Sequence, residues 1–228
     1  CNLACPSCRC EYTVGHGETF RQSDFIHRQV FESPLMQSAQ YVWISCNGDP
    51  FASRIYRQVL RAWDIGEFPN LQIEMLTNGA LLNEKSWAAI AKSHPAIRQV
   101  QVSVNAARKA TFEENQKGAT FARFMESLQL LSGLRRAGEV KRLLLSFIVQ
   151  ENNFLEMKEF VAMGRALGAD TICFTGLLNW GTFSAEEFAR RDVVDPAHPR
   201  HAELKSILSD ECFIAPDISL GSLTPVHL

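Results

Sequence analysis

The chain reads as an α/β protein built on a parallel sheet. From Tyr41 onward, short β-branched or aliphatic runs alternate with longer stretches of helical period, the pattern of repeated βα units. Several runs are apolar at nearly every position, which suits parallel strands buried on both faces. A length of 228 residues, 46% hydrophobic and 21% charged, fits one shared core. Such an array winds into an open doubly wound sheet or curls into a full or partial barrel, and periodicity does not choose between them.

The elements follow in order. A helix is expected over residues 23–32, a strand over 41–45, a helix over 51–63, a strand over 71–76, a helix over 84–92 and a strand over 100–105. Phe121, Phe124, Leu128, Leu131 and Leu134 recur at three- and four-residue steps behind Thr120, a suitable N-cap. A strand over 143–149 leads to a helix with Phe154, Met157, Phe160, Val161, Gly164 and Leu167 on one stripe, ended by Gly168. The fifth strand is expected over 170–175, Ser184 with Glu187 reads as a capping box, and a last helix spans 201–208. Pro196, Pro199, Pro216 and Pro225 cluster late. Residues 1–192 are therefore expected to form the core and 193–228 an irregular extension wrapping it, with no second domain.

Composition excludes several function classes. Lys and Arg against Asp and Glu give 23 − 25 = −2, so no basic field exists to hold nucleic acid or an anionic membrane. The longest apolar run, within 143–149, is far below the roughly 20 residues that a bilayer span needs. Seven cysteines, three of them in the first eight positions, make a poor disulfide framework and point to a reducing, cytoplasmic compartment. No secretory signal is visible, and an opening at Cys1 without Met is read as a fragment lacking upstream residues.

Cys1-Asn2-Leu3-Ala4-Cys5-Pro6-Ser7-Cys8 suits a loop wrapped around one inorganic cluster. Cysteine thiolates are the standard iron–sulfur ligands, and three of them leave one iron of a four-iron cluster open to a small molecule. Zinc and plain buried thiols are the alternatives. A structural zinc site takes four ligands, and Cys10 is the residue that would complete a compact zinc loop. Cys46 and Cys173 fall in or beside strands, where buried structural thiols are expected, and Cys212 stands alone.

This Cys-x3-Cys-x2-Cys loop followed by βα units resembles the radical S-adenosylmethionine (SAM) enzymes, over nearly the whole chain. The subgroup with C-terminal SPASM or twitch domains, often peptide-modifying, is the nearest likeness, although no second cysteine-rich region follows here. The resemblance implies a partial (β/α)6 TIM-like barrel of parallel strands, whose first strand would lie upstream of Cys1. It also implies that Cys1, Cys5 and Cys8 ligate a [4Fe–4S] cluster and that SAM is the second cofactor.

Ligands of parallel βα folds collect at the C-terminal strand ends, so those segments carry the remaining expectations. Cys46-Asn47-Gly48-Asp49-Pro50 resembles the family's Gly-Gly-Glu motif, which holds the SAM amino group, with Asn47 for the first Gly and Asp49 for Glu. A Gly-Asp turn capping the next helix is the plain alternative. Thr77-Asn78-Gly79 resembles a signature lining the cofactor pocket, and is otherwise an ordinary turn. Ser103 and Asn105, placed on one side by alternation, suit ribose hydroxyls or helix caps. The stretches from Val149 and Gln150 through Asn153, and from Thr175 to Gly181, correspond to backbone that frames adenine in relatives. Asn179 and Trp180 are the candidate substrate-facing residues, with Trp180 either stacking on a ligand or covering the barrel mouth.

Two departures weaken the SAM pocket. Ser7 stands where relatives carry an aromatic beside the third cysteine, and Gln116 near where they carry an Arg facing the SAM carboxylate. Lys117 is the substitute, a point charge without the bidentate fork. The activity implied is reductive cleavage of SAM to methionine and a 5′-deoxyadenosyl radical, which takes hydrogen from an unidentified peptide or small molecule. An oxidoreductase or transferase outcome is equally open. The electron donor implied is of flavodoxin or ferredoxin type. Neither His16, His27, His94 nor His198 is needed to start that chemistry. A peptide-binding relative without turnover and a zinc-stabilised α/β protein are the competing readings.

Overall fold

Parallel pairing joins each strand of this chain to the one that follows it. The computed structural model describes residues 1–9, 11–12, 17–45, 48–63 and 65–223. In order come α1 (Gly17–Phe31), α2 (Leu35–Ser38), β1 (Tyr41–Ile44), α3 (Arg54–Ala62), β2 (Gln72–Thr77), α4 (Glu84–Ala88) and β3 (Ile97–Ser103). Then follow α5 (Lys109–Asn115), α6 (Phe121–Ala137), β4 (Arg142–Val149), α7 (Met157–Ala166), β5 (Thr171–Gly176), α8 (Ala185–Arg191), α9 (His201–Leu208) and β6 (Ile218–Ser219). The six strands form one all-parallel sheet in the order β1-β2-β3-β4-β5-β6, which is not closed. This is the expected partial, TIM-like α/β architecture.

The periodic stripes become the buried faces. Phe124, Leu128 and Leu131 of α6 and Met157, Phe160 and Val161 of α7 are buried over a sheet whose Val100, Val102, Leu143, Leu145 and Phe147 are inaccessible to solvent. Gly164 lets α7 lie directly on β5, because a Cβ there would stand 2.6 Å from Ile172 Cδ1. Gly168 ends that helix with φ of 72°, and the Ala169 N–H donates back to Gly164 O at 3.0 Å. No helix among the described residues is long and apolar enough to cross a membrane.

Local chemistry moved several boundaries. The helix expected from residue 51 starts at Arg54, since Asp49 O accepts from Ala52 and Ser53 N–H in a preceding turn and Ser53 caps Tyr56 N–H. The helix expected over 84–92 stops at Ala88, and a 3₁₀ turn containing Pro95 continues from Ala91. Thr120 is the N-cap of α6 in position only: Glu113 Oε1 accepts the Phe121 N–H instead. Ser184 caps α8, but Glu187 turns to Arg190 and Arg191 and does not close the box. The stretch after Asp192 is less irregular than its prolines suggest, because Ile218 and Ser219 pair with Ile172 and Cys173 as a sixth strand.

One ion pair staples α6 to the start of β5. Arg135 donates to both oxygens of Asp170 at 2.6 Å, and Leu143 N–H adds a third bond at 2.8 Å. The Arg135 bond, then the Leu143 amide, hold the Asp170 carboxyl below its ordinary value of 3.8 against some burial. Its contribution is present above about pH 4 and is lost as pH falls through the lower folded value. Asp170→Asn is expected to cost about 1.5–3 kcal/mol at pH 7, read by urea unfolding, with the difference from the parent narrowing in acid. A constant difference from pH 7 to pH 2 would refute the assignment.

Candidate active site at the C-terminal strand ends

The cysteine segment is folded on itself and tied to the strand ends. Cys5 O accepts from the Cys8 and Arg9 N–H groups, each at 3.1 Å, which turns the loop back at its second cysteine. Ala4 N–H donates to Lys117 O at 3.0 Å, past the end of α5. Asn78 Nδ2, past the end of β2, donates to Asn2 Oδ1 at 3.0 Å and faces Cys1 Sγ at 3.9 Å. Leu3 is buried, Cys1 and Cys5 are partly buried and Cys8 is exposed. Burial, then the neighbouring Cys8, push the Cys5 thiol up to about 11.

The donor set fits an iron–sulfur cluster chemically. Among the described residues, no group of three His, Cys, Asp or Glu side chains is arranged to hold a single metal ion. A four-iron cluster takes one thiolate per iron, so its ligands stand farther apart than the chelating atoms of a mononuclear site. Cys10, the residue that would complete a zinc loop, lies outside the described residues.

Asn47 also lies outside the described residues, and Gly48 is partly buried beside it. Asp49 and Pro50 are buried. Asp49 has no solvent exposure and both its oxygens are engaged, Oδ1 in the turn that leads into α3. Oδ1 accepts from Phe51 and Ala52 N–H at 2.9 and 3.2 Å, and Oδ2 from Thr77 Oγ1 and Asn78 N–H at 2.7 and 2.9 Å. Four donors fill the acceptor sites of one carboxylate. Thr77 is buried by this bond, whereas Asn78 reaches the cysteine loop.

The pairing of Ser103 and Asn105 by alternation also changes. The strand stops at Ser103, and Asn105 takes a left-handed φ of 59°, so the two no longer follow one pleat. Asn105 Oδ1 accepts the Ile148 N–H at 2.9 Å, while its main-chain oxygen accepts from Asn115 and Asn153 Nδ2. Its oxygens thus close the β3 end against β4.

Gln116 spends both amide hydrogens on Ser103 O and Val104 O, at 2.8 Å each, and leaves a buried Oε1 without a partner. It is an acceptor, not a donor to a carboxylate; Lys117 is exposed beside it. Val149 is buried and presents only backbone, while Gln150 is buried with an unpartnered Oε1. Thr175 is exposed at the end of β5, and Asn179 closes its own turn through the Gly181 N–H. Trp180 and Leu178 are exposed. His94 and His198 bond the main-chain oxygens of Trp87 and Arg190, and His27 stacks on Phe31.

What sequence did not show is the bonding of the side-chain amides: Asn115, Gln116 and Asn153 donate to main-chain oxygens at the ends of β3 and β4, and Asn2 accepts from Asn78. Their only signal was position beside strand ends. Cavities of about 140 Å³ at Met36 and Leu71 and about 240 Å³ at His94 and Lys141 lie at the N-terminal strand ends, opposite the cysteine loop.

No protein-family profile matches the chain, and no curated protein does. Solved structures do. Streptococcus suis SuiB bound to S-adenosylmethionine superposes with a TM-score of 0.63 at 14% identity, over 99% of this chain and 50% of SuiB. SuiB has also been solved bound to the precursor peptide SuiA. TYW1 with a lysine-pyruvate adduct bound gives 0.56 at 14% identity, over 92% of this chain and 70% of that one. The enzyme anSMEcpe with bound AdoMet gives 0.54 at 18% identity, over 78% and 49%. The chain therefore spans about half the length of SuiB. With a cysteine loop tied to the strand-end side of an open parallel sheet, this chain has the fold of SuiB, TYW1 and anSMEcpe.

Proposed function

We propose that this chain is the core of a radical SAM enzyme acting on a peptide, with Cys1, Cys5 and Cys8 holding a [4Fe–4S] cluster. The observation that carries the reading is the tie of the cysteine loop to the turn after β2, through Asn78 to Asn2 and Cys1, and to the end of α5, through Ala4 to Lys117. When bound, the cluster supplies one electron to the SAM sulfonium, giving methionine and a 5′-deoxyadenosyl radical that removes hydrogen from the substrate. The chain's residues bind and orient. Cys8 stands exposed to a redox partner of flavodoxin or ferredoxin type. Asn105 Nδ2 and Ser103 would be the groups for the ribose, the backbone from Val149 to Gln150 and at Thr175 would border adenine, and Lys117 would supply the charge for the SAM carboxylate. Asn179 and Trp180 line the way to the substrate. Peptide is favoured as substrate class because SuiB and anSMEcpe are both solved with peptides, and the SPASM or twitch subgroup is proposed on the same basis. Of the stretch 193–228, Ile218 and Ser219 pair with β5 as β6, which supports reading that stretch as part of one unit with residues 1–192.

The test is anaerobic reconstitution followed by dithionite and SAM, with 5′-deoxyadenosine measured by chromatography. Production of it supports the reading, and colourless, iron-free protein would end it. A second reading, a binding relative without turnover, is favoured by Asp49, whose carboxylate has no vacant acceptor; that reading expects an iron-containing protein and no 5′-deoxyadenosine. Because Gln116 cannot donate to a carboxylate, SAM is expected to bind weakly in calorimetric titration, and a submicromolar dissociation constant would contradict this.

A further inference from the structure

Asp49 and Asn78 lie in two different strand-end turns and make one continuous set of bonds. A carboxylate without solvent exposure is costly unless its lone pairs are filled, and here two pairs of donors fill them. One pair comes from the chain entering α3, the other from the turn after β2. Thr77 Oγ1 passes the polarisation on by accepting the Gly79 N–H at 3.1 Å. That turn is pressed from outside as well, because a Cβ at Gly79, with its φ of 75°, would stand 2.9 Å from the Phe124 ring of α6. Asn78 Oδ1 accepts the Ala80 N–H at 3.0 Å, which aims Nδ2 outward at Asn2 Oδ1 and Cys1 Sγ.

We propose that Asp49 and Asn78 are positioning residues, a strut buried at Asp49 that hangs the cysteine loop from the turns after β1 and β2 and sets a hydrogen-bond donor against the Cys1 sulfur. Asp49 works through Asn78, not on the SAM ammonium, since any ligand reaching its oxygens would have to displace a main-chain or Thr77 donor. An N–H aimed at a ligand sulfur stabilises added negative charge, so Asn78 raises the reduction potential of whatever cluster Cys1 helps to hold. This electronic part rests on the functional reading above; the mechanical part does not.

Asn78→Ser separates the two duties. The shorter side chain keeps an oxygen for the Ala80 N–H and loses the reach to Asn2 and Cys1, so a purely turn-forming Asn78 predicts wild-type behaviour. Two measurements are made on the parent, Asn78→Ser and Asp49→Asn, each checked for unchanged secondary structure. In metal-free protein, hydrogen exchange of the peptide containing Ala4 is expected to quicken in both variants. In reconstituted protein, Asn78→Ser is expected to lose iron to a chelator ~10-fold faster, with a more negative midpoint potential by electron paramagnetic resonance titration. Unchanged exchange in both variants overturns the strut. Unchanged iron loss and potential, in a parent that does carry the cluster, overturn the role at Cys1. A parent that takes up no iron defeats the functional reading and the role at Cys1, while the exchange result still decides the strut.

Discussion

Alanine in place of Cys5 is expected to leave the protein without bound iron and without 5′-deoxyadenosine production. Cys5 is the middle ligand of the proposed set, and burial, then the neighbouring Cys8, push its thiol up to about 11, so binding a metal there must displace a proton. The loop itself survives the change, because the bonds that turn it are the Cys5 main-chain oxygen to the Cys8 and Arg9 amides. Loss of iron in a chain with unchanged circular dichroism would therefore be a loss of ligand and not of fold. The check is iron and sulfide assay beside the ultraviolet–visible spectrum of anaerobically reconstituted protein. Iron in the variant equal to the parent would remove Cys5 from the ligand set.

The second large effect is on stability. Phe147 sits in β4 with no solvent exposure, its ring 4.9 Å from Phe160 of α7 and 5.6 Å from Phe174 of β5, which in turn lies 5.6 Å from Phe213. Truncation to alanine empties the meeting point of three elements, where Phe160 of the helix layer and Phe174 of the sheet already touch, ring centroids 5.7 Å apart. Phe147→Ala should cost about 3–5 kcal/mol, a large share of the roughly 5–15 kcal/mol that keeps a domain folded. The melting temperature should fall by roughly 6–20 °C, measured calorimetrically. A fall of a degree or two would mean that the layers slide together.

The sheet was legible because burial on both faces writes itself into sequence as unbroken apolar runs, and residues 143–149 became β4 almost unaltered. The stripes of α6 and α7 were legible for the same reason. Two-residue β6 carries no pattern of its own; its partner Ile172 decides it. At the site, the cysteine spacing singled out the loop that the structure ties to the strand ends, whereas the bonding of Asp49 and Asn105 did not show. Whether a carboxylate is open or saturated depends on donors far along the chain, such as Thr77 for Asp49, and Asn105 turned left-handed to serve Ile148. Spacing records neither.

The sequential order of the sheet has a bearing on how the chain assembles. Each strand hydrogen-bonds to its neighbour in sequence, so no later strand has to be inserted between two that are already joined. Growth from the ribosome can zip the layers in the order of synthesis, each new βα hairpin of structure finding its template waiting. Loop closures stay moderate at every stage, and the nascent chain leaves only one temporary border exposed on its growing side.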